Sequence, residues 1–500
     1  MNNKKRLLII GGGTAGRTVI NRIKENPISK YEIVGIIDDN PKKQGNYIRG
    51  IKVIGGREDI IRVCSEKQVD IIMLTIPSIY ANDKVDILNM CSETDCDIKV
   101  MPSLSEIKDK KNLHKSLRSL RIEDLLARDP ILLDNEKISG YLKDKVVMVT
   151  GGGGSIGSEL CRQIARFHPR KIVIFDIYEN NAFDLHNELN TFFPNLDSEI
   201  VIGSVRDNER LNKVFAQLRP DIVFHAAAHK HVPLMENNPS EAVKNNVFGT
   251  INVASCAKKY NASKFILIST DKAVNPTSVM GATKRLCEMV IQLMNDEGET
   301  DFVAVRFGNV LGSNGSVVNI FKSQIRNGGP VTLTHKDITR YFMTISEAAQ
   351  LVLEAASYAH GGEIYVLEMG HQVRIYDLAI NMIKLSGLEP FKDIEIKITG
   401  LRAGEKLHEE LLMDEEEVFD TANNKIHVAK PIDINRTEFE KDLIDLRNVV
   451  KSQDNLAIRM ALADVVKTYT FESFDDFSYM LGMDVVNFKD IKKRVAAEAY

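Results

Sequence analysis

Short apolar runs alternate with amphipathic stretches along most of this chain. Leu7-Leu-Ile-Ile10, Tyr31-Glu-Ile-Val-Gly-Ile-Ile37 and Val69-Asp-Ile-Ile-Met-Leu-Thr-Ile76 are the first three. Such runs are too short for buried helices and too continuous for half-exposed strands, so they predict strands covered on both faces. A further strand is expected from Asp97 to Met101. The rhythm then returns in Val146-Val-Met-Val-Thr150, Lys171-Ile-Val-Ile-Phe-Asp176 and Ile266-Leu-Ile268. Between the first two of these, Ile156, Leu160, Ile164 and Phe167 recur on one face of a helix. Alternating strands and helices predict α/β architecture, here two Rossmann-like, doubly wound parallel-sheet units. The expected domains are 1–103, a charged connector 104–143, a main unit 144–430 and a helical extension 431–500 with an amphipathic stretch from Leu443 to Thr468. The connector's charges, including Lys108 to Lys111, read as a solvated face, and the tail with Lys492-Lys-Arg-Val is assigned no chemistry.

Both units open with a glycine-rich turn. The first reads G-x-G-x-x-G at Gly11, Gly13 and Gly16, with Asp38 closing the second strand. The second reads T-G-x-x-G-x-x-G at Thr150, Gly151, Gly154 and Gly157, with Asp176 closing the next strand. Glycines there let backbone amides approach a pyrophosphate at a helix N-terminus. A carboxylate in the position of Asp176 accepts the adenosine ribose hydroxyls and repels a 2′-phosphate, which favours NAD over NADP. The first unit has two open readings, a nucleotide or UDP-sugar site and an architectural body.

Composition narrows the class. A chain of 500 residues with 44% hydrophobic and 27% charged content suits a large globular enzyme of two or three domains. The net charge of −4 and the lack of a basic stripe argue against nucleic acid. Six cysteines without metal spacing fit a reducing cytoplasm. His225, His229 and His231 have no carboxylate at ligand spacing, so no metal is expected. No run approaches the roughly 18 apolar residues of a membrane span.

The strand ending Ser269-Thr-Asp-Lys272, followed by Met280 and Lys284, resembles the active site of short-chain dehydrogenases, with Met in place of their Tyr. Longer segments sharpen this: His225-Ala-Ala-Ala-His-Lys-His-Val-Pro-Leu-Met-Glu236, Asn245-Asn-Val-Phe-Gly-Thr250, Arg306-Phe-Gly-Asn-Val-Leu-Gly-Ser-Asn-Gly315 and Arg402-Ala-Gly-Glu-Lys-Leu-His-Glu409. Over roughly residues 5 to 425 the chain is similar to the polysaccharide-biosynthesis UDP-N-acetylglucosamine 4,6-dehydratases, an extended short-chain dehydrogenase/reductase family. Met280 and the two-unit layout resemble its large, configuration-retaining branch.

The resemblance implies a catalytic domain with a smaller substrate-binding part, and tightly bound NAD regenerated each turnover. It implies cofactor contacts from Thr150, Gly151, Gly154, Ser155, Ile156, Gly157, Asp176, Asp207, Ala226, Ala227, Ala228, Asn245 and Lys284. Substrate contacts fall on Lys230, Asn309, Arg340, Arg402 and Glu405, with Arg340 and Arg402 suited to pyrophosphate. Thr270 would hydrogen-bond the C4 hydroxyl. Asp271 is the expected acid for the C6 hydroxyl and Lys272 the C5 base, which requires a depressed Lys272 pKa. Met280 bears no proton, so the group that takes the C4 proton stays open. A C4 epimerase and a catalytically dead sugar-nucleotide sensor are the alternatives. A homo-oligomer is expected, with no nucleic acid partner. Many large members of the family it resembles carry N-terminal membrane helices. This chain starts at its first strand, so it is expected to be either soluble or a shortened form from the cytosolic face of the inner membrane.

Overall fold

The computed structural model describes residues 4–100, 118–119 and 133–471, apart from 27–28, 77–80, 95, 296–298, 414–416 and 432–433. Most of the charged connector, including Lys108 to Lys111, and the basic tail at Lys492 lie outside the described residues. The chain divides into two compact units. The first holds the described residues before 131 together with Gln324–Val331 and Asp377–Ile396, and the second holds the rest.

In the first unit the strands are β1 (Lys5–Ile10), β2 (Tyr31–Ile37), β3 (Tyr47–Ile48), β4 (Ile51–Gly55), β5 (Ile71–Leu74), β6 (Asp97–Val100) and β7 (Arg118–Ser119). They form one sheet in the order β3-β4-β2-β1-β5-β6-β7. The apolar runs explain why. Leu7 and Ile9 of β1 enter one core with Val19 and Ile20 of the helix Thr14–Glu25, while Leu8 and Ile10 enter the core on the opposite face. β1 pairs in parallel with both β2 and β5.

The second unit is built on β8 (Val146–Thr150), β9 (Lys171–Asp176), β10 (Asp197–Ile202), β11 (Ile222–His225), β12 (Lys264–Ile268) and β13 (Asp301–Arg306). Their order is β10-β9-β8-β11-β12-β13, all parallel, extended by Ile364–Leu367 and then by the antiparallel strands Ile426–Ala429 and Val418–Asp420. Strand order reverses at β8, whose Thr150 is paired with Phe175 on one side and His225 on the other. A crevice opens at the carboxyl ends of strands at such a switch point, and that is where doubly wound folds bind nucleotides. The helix Asn135–Leu142 buries Ile138 and Leu142 in the same core as Val147 and Val149. Near the end of the described chain, the helices Arg436–Ser452 and Asn455–Val465 place Phe439, Leu446, Ile458 and Leu462 in one core cluster with Met280 and Leu286. Among the described residues no helix is long and apolar enough to cross a membrane.

Candidate active site

A cavity of about 620 Å³ opens at the carboxyl ends of β8, β11 and β12. Its floor is the glycine turn. Gly151 has φ +67°, and a Cβ there would stand 2.7 Å from the Ala227 amide nitrogen. A Cβ on Gly157 would stand 2.1 Å from the Gly151 carbonyl oxygen. Only glycine allows this packing, which leaves the N-terminus of the helix Ser155–Ile164 facing the cavity. Asp176 Oδ2 accepts from the Gly153 amide at 2.8 Å and Oδ1 accepts from the Tyr178 amide at 2.8 Å. Each oxygen keeps a second lone pair, so the carboxylate is oriented and still able to accept ribose hydroxyls. The cradle therefore fits a dinucleotide.

Of the cofactor residues expected from the sequence, Gly151, Gly154, Ser155, Ile156, Gly157, Ala226, Ala228 and Lys284 line the cavity. Thr150, Asp176, Asp207, Ala227 and Asn245 are not among its lining residues. The Thr150 hydroxyl is turned to His225 Nδ1 at 2.7 Å, and Asp207 caps the helix Asn208–Leu218 through the Arg210 amide. Asn245 sits in a π-helical turn, Val243–Phe248, and its amide donates to Asn246. The buried partner is Asn246, which accepts from the His229 amide and donates to the His229 carbonyl and to Thr283.

His225 was missed as a structural residue. Its ring bridges Thr150 and, at 3.0 Å, Thr250. Burial first, then the Lys284 charge, pushes its pKa down to about 3, so it stays neutral. The Thr250 hydroxyl donates to the Asn246 carbonyl, which leaves His225 Nε2 as the donor to Thr250 and Nδ1 as the acceptor from Thr150. Among the described residues no group of three His, Cys, Asp or Glu is placed to share a metal.

Thr270, Asp271, Lys272, Met280 and Lys284 all line the cavity. β12 ends at Ile268, so its next residues leave the sheet at the crevice. The Thr270 hydroxyl donates to Asp271 Oδ1 at 2.8 Å. Lys272 Nζ donates to the same oxygen at 3.1 Å, and Asp271 Oδ2 is buried without a hydrogen-bond donor. Burial alone would raise the Asp271 carboxyl, but the Lys272 charge and hydrogen bonds hold it below its ordinary value. Lys284 Nζ donates to the Ile268 carbonyl at 2.7 Å, and burial lowers its pKa.

Lys272 departs from expectation. Burial would lower its pKa, but Asp271 and Glu409 raise it above the ordinary value. Its Nζ lies 2.6 Å from Glu409 Oε1. The amine is thus held charged, not neutral, because two carboxylates flank it. Sequence reading did not single out Glu409, which is the hub of the site. It is 4% exposed, accepts from Asn309 Nδ2 at 2.7 Å and stands 3.0 Å from Arg340 Nε. Burial, then the neighbouring Asp271, pushes its pKa up to about 7.

Lys230, Asn309, Arg340, Arg402 and Glu405 also line the cavity. The Asn309 carbonyl oxygen accepts from Lys272 Nζ at 3.3 Å. The Arg340 guanidinium is engaged by Glu405, Glu409 and the carbonyls of Thr339 and Leu407. Glu405 braces Arg340 and Arg402 rather than facing a ligand alone. Arg402, whose side chain is 56% exposed, has the freer guanidinium. Lys230 approaches Ser313 at 3.4 Å, and its pKa is lowered by burial and by Lys272.

Beneath the site lies a second buried charge cluster. Glu288 accepts from Ser269 at 2.6 Å, Arg306 at 2.9 Å and Arg285 at 3.0 Å. Burial would raise the Glu288 carboxyl, but the two guanidinium groups hold it at about 2.

A parallel doubly wound sheet, a glycine cradle at its switch point and a Thr-Asp-Lys strand end define a short-chain dehydrogenase/reductase of the sugar-nucleotide dehydratase and epimerase group. A family profile described as polysaccharide biosynthesis protein matches residues 147–431, and one described as a CoA-binding domain matches residues 1–102. The capsular polysaccharide biosynthesis protein CapD of Staphylococcus aureus is 44% identical over 458 residues, 91% of this chain and 76% of CapD. The chain belongs to the polysaccharide biosynthesis protein family. It is also 36% identical to an inverting UDP-N-acetylglucosamine 4,6-dehydratase of Campylobacter jejuni, over 54% of this chain and 78% of that enzyme. The X-ray structure of Pen from Bacillus thuringiensis superimposes with a TM-score of 0.54 at 34% identity, covering 58% of this chain and 90% of Pen.

Proposed function

We propose that this protein is an NAD-dependent UDP-N-acetylglucosamine 4,6-dehydratase of glycan or polysaccharide synthesis, working as a homo-oligomer in the cytoplasm. The observation that carries this reading is the buried Asp271–Lys272 pair beside Thr270 in a cavity floored by the glycine cradle. The name of the Campylobacter jejuni relative supports the substrate and reaction. NAD, when bound, supplies the hydride acceptor and donor for C4 and C6 of the sugar.

The chain's own groups move the protons. The Thr270 hydroxyl already donates to Asp271, so a substrate hydroxyl that donates to Thr270 Oγ1 has a relay to a carboxylate. Asp271, ionised in the resting site, takes the C4 proton by this route and later returns one to the C6 hydroxyl as water leaves. Lys272 takes the C5 proton. Met280 is buried and touches no proton step, in keeping with a relay that bypasses its position. Arg402 and Lys230 offer positive charge to the diphosphate.

The test is incubation of purified protein with UDP-N-acetylglucosamine and no added cofactor. A product lighter by one water is expected. An isomer of unchanged mass would favour a C4 epimerase, and tight binding without turnover would favour a sensor. The denatured protein is expected to release NAD(H), and recovery of mainly NADP(H) would contradict the cofactor assignment.

A further inference from the structure

The dehydratase reading asks Lys272 for an uncharged amine, yet the site holds that amine between two carboxylates. Nζ is 3.1 Å from Asp271 Oδ1 and 2.6 Å from Glu409 Oε1. Glu409 is locked in place by Asn309 and Arg340. The Asp271 and Glu409 carboxylates thus contact one and the same Nζ. Burial, the larger cause of the raised Glu409 carboxyl, persists when Asp271 is neutral, so Glu409 can still take up a proton at that stage. We infer that Glu409 is the group that discharges Lys272 by accepting its proton, so that the freed amine takes the C5 proton. This inference rests on the dehydratase reading and deepens it.

The protons balance. The C4 hydroxyl proton reaches Asp271 through Thr270, and neutral Asp271 no longer helps to hold the Lys272 charge. One Nζ proton of Lys272 then moves to Glu409 Oε1, leaving a carboxylic acid and a neutral amine. The amine takes the C5 proton. The C5–H electron pair forms the C5–C6 double bond, the C6–O bond breaks, and Asp271 gives its proton to the departing oxygen. When C6 has been reduced, the Lys272 ammonium returns a proton to C5, and Glu409 then returns its own to Lys272. The protein gains and loses no net proton. A Glu409 carboxyl raised to about 7 is well suited to this exchange near neutral pH.

The experiment compares wild type with Glu409→Gln, both loaded with NAD, reacting with UDP-N-acetylglucosamine in D₂O. Glutamine keeps the shape and one acceptor oxygen for the donors Asn309 and Arg340 but cannot take up a proton at neutral pH. Absorbance of bound NADH is expected in both proteins, because C4 oxidation does not use Glu409. Deuterium entry at C5 and water loss are expected to fall at least about 100-fold in the variant, the scale of a lost acid–base group. In wild type the C5 exchange rate is expected to rise with pH through about 7, and in the variant that limb should vanish. A variant that keeps both rate and limb overturns the inference. So does a wild type whose C5 exchange lacks the limb, an outcome readable even if the variant fails to fold. A wild type that neither exchanges C5 nor loses water overturns the dehydratase reading itself.

Discussion

Thr270, Asp271 and Lys272 were legible as a group because a strand end carries them to the crevice together. The charge state of Lys272 was not legible. It depends on Glu409, which lies far along the chain in a loop without hydrophobic period. The Arg402 to Glu409 segment offers Glu405 and Glu409 as acids, and spacing does not say which one meets the lysine. In the structure Glu405 meets the two arginines, whereas Glu409 meets Lys272 as well as Arg340. Two substitutions follow at this scale. Met280→Leu nearly conserves volume in a buried place and is expected to cost less than about 1.5 kcal/mol and little turnover. Asp271→Asn is expected to lower turnover by about 10²–10⁴-fold, since it removes the carboxylate that Thr270 and Lys272 share. Steady-state assays on the pair separate them, and a Met280→Leu variant as crippled as Asp271→Asn would refute the relay. Glu288 gives a pH prediction. Its carboxyl is held at about 2 against an ordinary 4.5. A depressed acid stabilises the fold fully above its unfolded pKa and loses that contribution as pH falls toward its folded one. The gap corresponds to about 3 kcal/mol, lost between about pH 4.5 and 2. Urea unfolding at pH 3 and pH 7 should show a smaller acid destabilisation in Glu288→Gln than in wild type.

The strands were easy to place because both faces of each parallel strand are buried, which forces nearly continuous apolar runs. The fine register of helices was harder. The turn Val243–Phe248 is π-helical, so adjacent Asn245 and Asn246 are assigned to surface and core by a widening that apolar spacing does not announce. Gly281 shows an element constraint of the same kind. It lies in the helix Val279–Met294, where Ala would ordinarily stabilise by about 1 kcal/mol. A Cβ there would stand 2.2 Å from the Lys272 carbonyl oxygen, a contact no rotamer change relieves. Gly281→Ala is therefore expected to destabilise, by about 1–3 kcal/mol, and to slow elimination by shifting Lys272. Thermal unfolding checks the first effect, and a raised melting temperature would contradict the geometry.

Across the whole molecule the same wiring occurs twice. Asp38 Oδ2 accepts from the Gly12 amide at 2.8 Å, as Asp176 Oδ2 accepts from that of Gly153. In the first unit, however, Lys43 Nζ also binds Asp38 Oδ2 at 2.8 Å. The sequence echo was visible, and the lysine that neutralises one copy was not, because nothing in the glycine pattern refers to it. NAD content should accordingly depend on Asp176 and not on Asp38. Asp176→Ser is expected to shift the purified cofactor toward NADP, whereas Asp38→Ser should leave it NAD; equal loss from both variants would argue against this division. The cysteines carry a consequence of a different sort. Cys64 and Cys91 are buried and Cys96 is partly exposed in the first unit, while Cys161, Cys256 and Cys287 are buried in the second, and none of the six forms a disulfide. A thiol reagent reaches a buried sulfur only when its surroundings open. The chain thus carries its own chemical clocks, one set per unit. The order in which the six sulfurs are tagged, Cys96 first, reads out which half of the protein breathes more often without a single added probe.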